Sequence, residues 1–175
     1  MIDPTRITLP HLQLLPERIS RWAAPIFFGA SMYGLDPVAL AAIMERESEG
    51  GDTLTPKGPK GTGDNGHGRG LMQIDDRWHS TFVASGLWKE APFAVLYAAR
   101  LLRMALDAFD GDYPAAIGAY NAGVNGIRSQ LMTLPPSAKP ERRIAIMDEV
   151  TTDHYVAGVL RIRDDFLHRI SGSST

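Results

Sequence analysis

A mainly α fold is predicted by three observations. Apolar residues recur at helical spacing in several separated stretches of the chain. Those stretches are bracketed by helix starters and stoppers, Asp36-Pro37 and Asp112-Tyr113-Pro114 ahead of them and Gly34, Gly50-Gly51 and Gly111 behind. Between residues 49 and 76 the periodicity vanishes into glycine and polar residues, which predicts a long ordered loop or at most a short irregular hairpin. Neither an internal repeat, nor a linker, nor a heptad run divides the chain, so one domain is expected.

In order, residues 1–15, with Pro4, Pro10 and Pro16 around them, read as an irregular arm. From Glu17 to Tyr33 the apolar set Ile19, Trp22, Ile26, Phe27 and Ala30 keeps a helical period, with Pro25 as a kink or interruption. Residues 1–35 thus form an N-terminal arm and helix, ahead of a main region over 36–170. Asp36 caps a second helix that Pro37 opens and that runs to Glu47 or Ser48. The spacing predicts a helix over 92–109, another from Asp112 to Tyr120 ending at Ala122-Gly123, and a short one over 124–132. Pro135, Pro136 and Pro140 mark a surface connection. Thr151 or Thr152 caps the last helix, whose stripe is Tyr155, Val156, Val159, Leu160, Ile162, Phe166 and Ile170. Residues 171–175 are a polar tail.

Bulk composition narrows the classes of function. At 175 residues, 44% hydrophobic and 22% charged, the chain is the size and type of one globular domain. A formal net charge of -2 argues against a nucleic-acid binder, which carries a basic surplus. Without cysteine there is neither a disulfide nor a thiolate metal site. No apolar run is long enough to span a bilayer. The first residues lack a basic segment followed by an apolar one, so synthesis in the cytoplasm without signal-peptide export is expected.

The chemistry gathers in and just before the glycine-rich stretch. Gly61, Gly63, Gly66, Gly68 and Gly70 lie among Asp64 and Asp75, and Glu47 stands upstream at the end of a helix. A glycosidase needs one protonated carboxyl as acid and one ionised carboxylate as base or nucleophile. At the C-terminal end of its helix, Glu47 meets a dipole that disfavours the ionised form. Glu45 and Glu49 flank it, and three glutamates in five residues also read as a solvated helix end, but Glu47 of the three follows Ile43 by four residues and shares its face, toward core or cleft. Asp64 and Asp75 are eleven residues apart, the first-to-last spacing of a calcium loop. That fails, because Gly66, Gly68 and Arg69 would occupy ligand and glycine positions. Asp64-Asn65-Gly66 otherwise reads as a turn. His67 and His79 have no helical His-Glu-x-x-His pair or thiolates beside them, so neither metal nor cofactor is expected. Tyr120, Asn121 and Tyr155, taken singly, are packing and capping residues. Together they offer the flat faces and polar groups of a sugar site, and Trp78 and Trp88 could stack on sugar rings or fill a core.

Arg46-Glu47-Ser48, Gly63-Asp64-Asn65-Gly66, Gly70-Leu71-Met72-Gln73-Ile74-Asp75, His79, Ala119-Tyr120-Asn121-Ala122-Gly123 and Tyr155 follow in that order. This arrangement resembles the goose-type lysozymes, within the wider group that holds the soluble lytic transglycosylases, from about residue 36 to about residue 167. The resemblance implies a lysozyme-like, mostly α fold and a cleft for the glycan strands of peptidoglycan. It implies that Glu47 is the general acid at the bond between N-acetylmuramic acid and N-acetylglucosamine. Asp75, helped by Asp64, would position and activate water for inverting hydrolysis. Ser48, Gln73, His79, Tyr120, Asn121 and Tyr155 match residues that bind substrate. Transglycosylases of the group keep the glutamate but typically lack the acidic partners, since the sugar's own 6-hydroxyl attacks. The departures are an insertion-like segment over 54–61 and the missing cysteines.

The resulting expectation is a peptidoglycan muramidase, monomeric and cofactor-free, acting on the cell wall after release or delivery. An inhibitor or immunity protein stands as a candidate partner. A phage lysin and a delivered bacterial effector both suit the composition. The rivals are a lytic transglycosylase and a non-catalytic wall-binding module.

Overall fold

The computed structural model describes residues 6–172. Helices dominate: α1 (Leu9–Leu12), α2 (Glu17–Ser20), α3 (Ala23–Tyr33), α4 (Pro37–Ser48), α5 (Ser80–Ala84), α6 (Ala91–Ala108), α7 (Tyr113–Leu131), α8 (Pro140–Asp148) and α9 (Tyr155–Gly172). A small antiparallel sheet of three two-residue strands, β1 (Thr62–Gly63), β2 (Gly68–Arg69) and β3 (Ile74–Asp75), lies between α4 and α5. Thr62 pairs with Arg69, Gly63 with Gly68, Gly68 with Asp75 and Arg69 with Ile74. This is the mainly α, lysozyme-like architecture with a short hairpin in the glycine-rich segment. Among the described residues no helix is long and apolar enough to cross a membrane.

The chain divides into two compact units, the first comprising residues up to Arg100 and those from Ile162 onward, the second Leu101–Arg161. In the first, α4 is the central element. Every residue from Pro37 to Met44 is buried, as expected for a helix apolar all round. Asp36 starts it as anticipated, accepting from the Val38 N–H at 2.8 Å, while its other oxygen takes the Arg163 Nε–H of α9 at 2.6 Å. α3 meets α6 at Gly29, where a Cβ would already touch Val95 and Ala99.

In the second unit α7 packs on α8, and Asp112 caps α7 through the Ala115 N–H at 3.1 Å. At Gly123 the backbone leaves the helical region (φ 75°, ψ 156°), so α7 is broken where Ala122-Gly123 predicts an end.

Three local expectations are corrected. The arm before Pro16 is not irregular throughout: α1 forms, with Pro10 harmless in its first turn, and Ile7, Leu12 and Leu15 are buried. The helix expected from Glu17 to Tyr33 breaks at Arg21–Trp22, because Pro25 has no N–H to give and its ring would crowd the carbonyl four residues back. Pro140 opens α8 rather than continuing a surface connection, and Ile146 and Met147 anchor that helix in the core. The start of α9 is also held by the Asp148 carboxylate at the end of α8, which accepts the Val156 N–H at 2.8 Å and the Ala157 N–H at 3.3 Å.

Gly50 closes the turn after α4 at φ 63°, and a Cβ there would lie 1.9 Å from the Arg18 carbonyl oxygen. Gly50→Ala should therefore lower unfolding free energy by about 2–3 kcal/mol. Urea denaturation checks this, and a wild-type midpoint would mean that the turn yields freely.

Candidate functional site

The three glutamates at the end of α4 have different surroundings. Glu45 is claimed by Arg18, whose Nε donates to its two carboxylate oxygens at 3.0 and 2.9 Å and whose Nη2 makes a further short contact. Glu49 is exposed and sits at φ 47°, past the helix end. Glu47, half-buried, lies between them on the last turn.

One residue on, Ser48 joins α4 to the glycine-rich segment. It is 1% exposed. Its hydroxyl donates to the Leu71 carbonyl at 2.7 Å and accepts from the Gly51 N–H at 3.1 Å. Both hydrogen-bonding directions are thus used within the protein, and Ser48 is placed to hold the loop. The turn is held from its other side too, since Trp22 Nε1 and Arg21 Nη2 donate to the Gly50 carbonyl at 2.9 and 3.0 Å.

Across the sheet, the glycines of β1 and β2 leave room for one side chain. A Cβ at Gly63 or Gly68 would fall 2.3 or 2.1 Å from Gln73 Oε1. Gln73, at φ 44°, lies against both strands and donates from Nε2 to the Gly70 carbonyl at 2.9 Å. β3 then delivers Asp75, and the turn between β1 and β2 delivers Asp64, exposed and at φ 45°.

The two aspartates meet on one cation that sequence reasoning did not single out. Arg77 donates its backbone N–H to Asp75 Oδ1 at 2.8 Å and its Nε–H to the same oxygen at 2.9 Å. From Nη2 it donates to Asp75 Oδ2 at 2.5 Å and to Asp64 Oδ2 at 3.2 Å. The guanidinium beside it holds the Asp75 carboxyl below its ordinary range, against a smaller opposing effect of burial. The neighbouring Asp76 is likewise lowered, by His67 and Arg69.

His79 follows in the same turn, its N–H donating to the Asp75 carbonyl at 3.0 Å. Its Nδ1 shares a hydrogen bond of 3.1 Å with Tyr97 Oη, and Tyr97 stacks on Phe82. Burial pushes His79 below the usual imidazole value, with the Asp75 charge opposing, so the neutral ring is favoured. Of the two tryptophans, Trp88 is core at 6% exposure, whereas Trp78, between Arg77 and His79, is 80% exposed.

Tyr120, Asn121 and Tyr155 belong to the second unit. Asn121 binds Thr152 twice, accepting its N–H at 3.0 Å and donating Nδ2–H to its hydroxyl at 3.1 Å. This fixes the segment leading to Tyr155, itself 2% exposed, to the α7 turn that carries Tyr120. Tyr120 is half-buried.

With this geometry in place, the family is plain. Residues 24–134, from within α3 to just past α7, match the Transglycosylase SLT domain, and the chain belongs to that family. Tyr155 lies beyond the matched stretch. The chain is also similar to lysozyme g of Gallus gallus, 33% identical over 104 residues that cover 54% of this chain and 46% of the relative. Lysozyme g of Struthio camelus is 34% identical over 104 residues, covering 54% and 47%. For Casuarius casuarius the figures are 33% over 104 residues, covering 54% and 52%. The chain thus spans about half the length of the curated relatives it matches.

Because Ser48 is buried with both of its bonds made, Ser48→Ala should lower stability by about 1–3 kcal/mol. Amide exchange should quicken first at 51–54 and 68–75. Uniform acceleration across α4 and α6 would contradict a local tie.

Proposed function

We propose that the chain is a peptidoglycan hydrolase that cleaves the β-1,4 bond between N-acetylmuramic acid and N-acetylglucosamine with inversion. The observation that carries this reading is the Asp64–Arg77–Asp75 constellation, on a loop stitched to the end of α4 beside Glu47. An ionised carboxylate pair has a use in hydrolysis, where water must be held and deprotonated. It has none where the sugar's own hydroxyl attacks.

In this mechanism the Glu47 carboxyl gives its proton to the glycosidic oxygen as the C1–O bond breaks. Water attacks C1 from the opposite face, its second proton passing to Asp75 while Asp64 orients it. One water is consumed, and the two carboxyls return to their starting states by exchanging a proton with solvent. Gln73, His79, Tyr120, Asn121 and Tyr155 are assigned to shaping or contacting the substrate, and Ser48 to holding the loop. The relatives' name, lysozyme g, supports this direction. The family's description as a transglycosylase domain favours the second reading, in which the muramic acid 6-hydroxyl attacks and 1,6-anhydro ends form. A wall-binding module without activity is a third.

Mass spectrometry of digested, purified peptidoglycan decides among them. Water-added fragments, with the α-anomer released first, are expected. Anhydro ends would establish the transglycosylase, and undigested glycan the binding module. Glu47→Gln should keep the fold and reduce turnover by about 10²–10⁴-fold, and near-normal turnover would end its assignment as the acid. Asp75→Asn should slow hydrolysis more than Asp64→Asn, the double variant most of all. The reverse order would exchange the two roles.

Trp78, exposed next to the aspartate clamp, is assigned to stacking on a sugar ring of the strand. Trp78→Ala should raise KM by about 2- to 10-fold with a smaller change in kcat. An unchanged KM would remove Trp78 from the binding surface.

A further inference from the structure

We propose that Arg77 is the positioning residue of the water site, joining Asp64 and Asp75 into one two-carboxylate acceptor. This deepens the hydrolytic reading and rests on it. The geometry is a donor count. A carboxylate has about four acceptor positions. At Asp75, Arg77 supplies three hydrogens, its backbone N–H to Oδ1, its Nε–H shared between Oδ1 and Oδ2 at 2.9 and 3.1 Å, and an Nη2–H to Oδ2, against about four acceptor positions. At Asp64 the guanidinium takes one position, on Oδ2. Nη2 has two hydrogens, and the two aspartates use both.

What remains is matched to a single water. It has two hydrogens, one for each carboxylate, which leaves a lone pair for an electrophile. Proton transfer then goes to Asp75 as the new C1–O bond forms, while Asp64 keeps the water oriented. Without Arg77, Asp75 would lose the cation that favours its ionised form and would protonate earlier on acidification.

Other charges near Asp75 do not substitute for Arg77. Asp76 is negative and engaged with His67 at 2.9 Å and Arg69 at 2.5 Å. His79 is drawn toward its neutral form by burial, so it is not a competing cation. Half of Arg77 and more than half of Asp64 are open to solvent, where ion pairs contribute little to stability. The role of Arg77 should therefore be read in turnover and titration rather than in folding.

The test compares wild type, Arg77→Gln and Arg77→Lys in the full chain, with hydrolysis of purified peptidoglycan and carbon-detected NMR titration of the Asp75 carboxyl. In Arg77→Gln, kcat should fall by about 10–100-fold while KM stays within about twofold. The acid limb of the pH profile should move to higher pH together with the Asp75 midpoint, since a carboxylate without its cation protonates earlier on acidification. Arg77→Lys, which keeps the charge but not the fork, should recover the titration more than the rate. If Arg77→Gln does not fold, the Lys variant carries the test, and wild-type turnover in it would reject the fork. Arg77→Gln with an unmoved Asp75 midpoint and wild-type hydrolysis would overturn the role of Arg77 alone. Anhydro products from the wild type would instead end the hydrolytic reading beneath it.

Discussion

The hydroxyl of Ser48 links the most rigid part of the first unit to its most irregular part. On one side is α4, buried from Pro37 to Met44 and so unable to shift without disturbing the core. On the other is a segment of two-residue strands, polar turns and positive-φ residues, which has little apolar surface with which to fix itself. The donation to Leu71 and the acceptance from Gly51 transfer the helix's rigidity to that segment. Leu71 and Met72, fully buried beside the tie, give it an apolar footing. Gly50 completes the arrangement because the chain passes too close to the Arg18 carbonyl for any side chain. Glu47 and the strand that ends in Asp75 are thus held at two ends of one short, buried connection. Loosening it would blur both together.

Much of this was legible in the sequence wherever a single residue determines local geometry. Asp36-Pro37 and Asp112-Pro114 start helices by short-range hydrogen bonding and a fixed φ, and Gly34 ends one in the left-handed region. The break at Gly123 was legible for the same reason. Features determined by distant partners were not. Asp148 reaches the start of α9 from the end of α8, a partner that the residues around Tyr155 do not announce. Trp78 and Trp88 look alike in sequence, and only packing sends one to the core and the other to solvent. In the site, the face shared with Ile43 is the sequence reason for proposing Glu47, and Arg18 accounts for Glu45 in space. Arg77 was missed because a cation among acids reads as a solvated charge run. Its role exists only once the β1–β2 turn brings Asp64 back beside β3.

Membership in the transglycosylase family and likeness to the lysozymes g do not themselves choose between two chemistries that share an acid. Fold leaves that choice to the site. The local difference that bears on it is whether a second ionised group can manage a water. Asp64, exposed in the β1–β2 turn, and Asp75, half-buried at the end of β3, belong to the sheet segment rather than to the helical core. The turn after β3 presents Trp78 and His79, so the proposed water site and the surface beside it are carried by one short run of chain. Substitutions there would alter both while leaving α4 unchanged.

A base clamped by arginine is a weak base, which at first sight opposes its proposed task. The transition state of glycoside cleavage resolves the conflict. C1 carries substantial positive charge before water has bonded to it, so the water needs direction more than strong deprotonation. A carboxylate that stays ionised also offers a negative charge to that developing cation. Lowering the proton affinity of Asp75 therefore sacrifices little in the early part of the step and secures the ionised form over a wider pH range. Glu47 has the opposite requirement, to arrive protonated, so the proposed reaction asks different protonation states of two carboxyls. The neutral His79 beside Asp75 leaves that division undisturbed, because a second cation there would draw the carboxylate charge away from the reacting carbon.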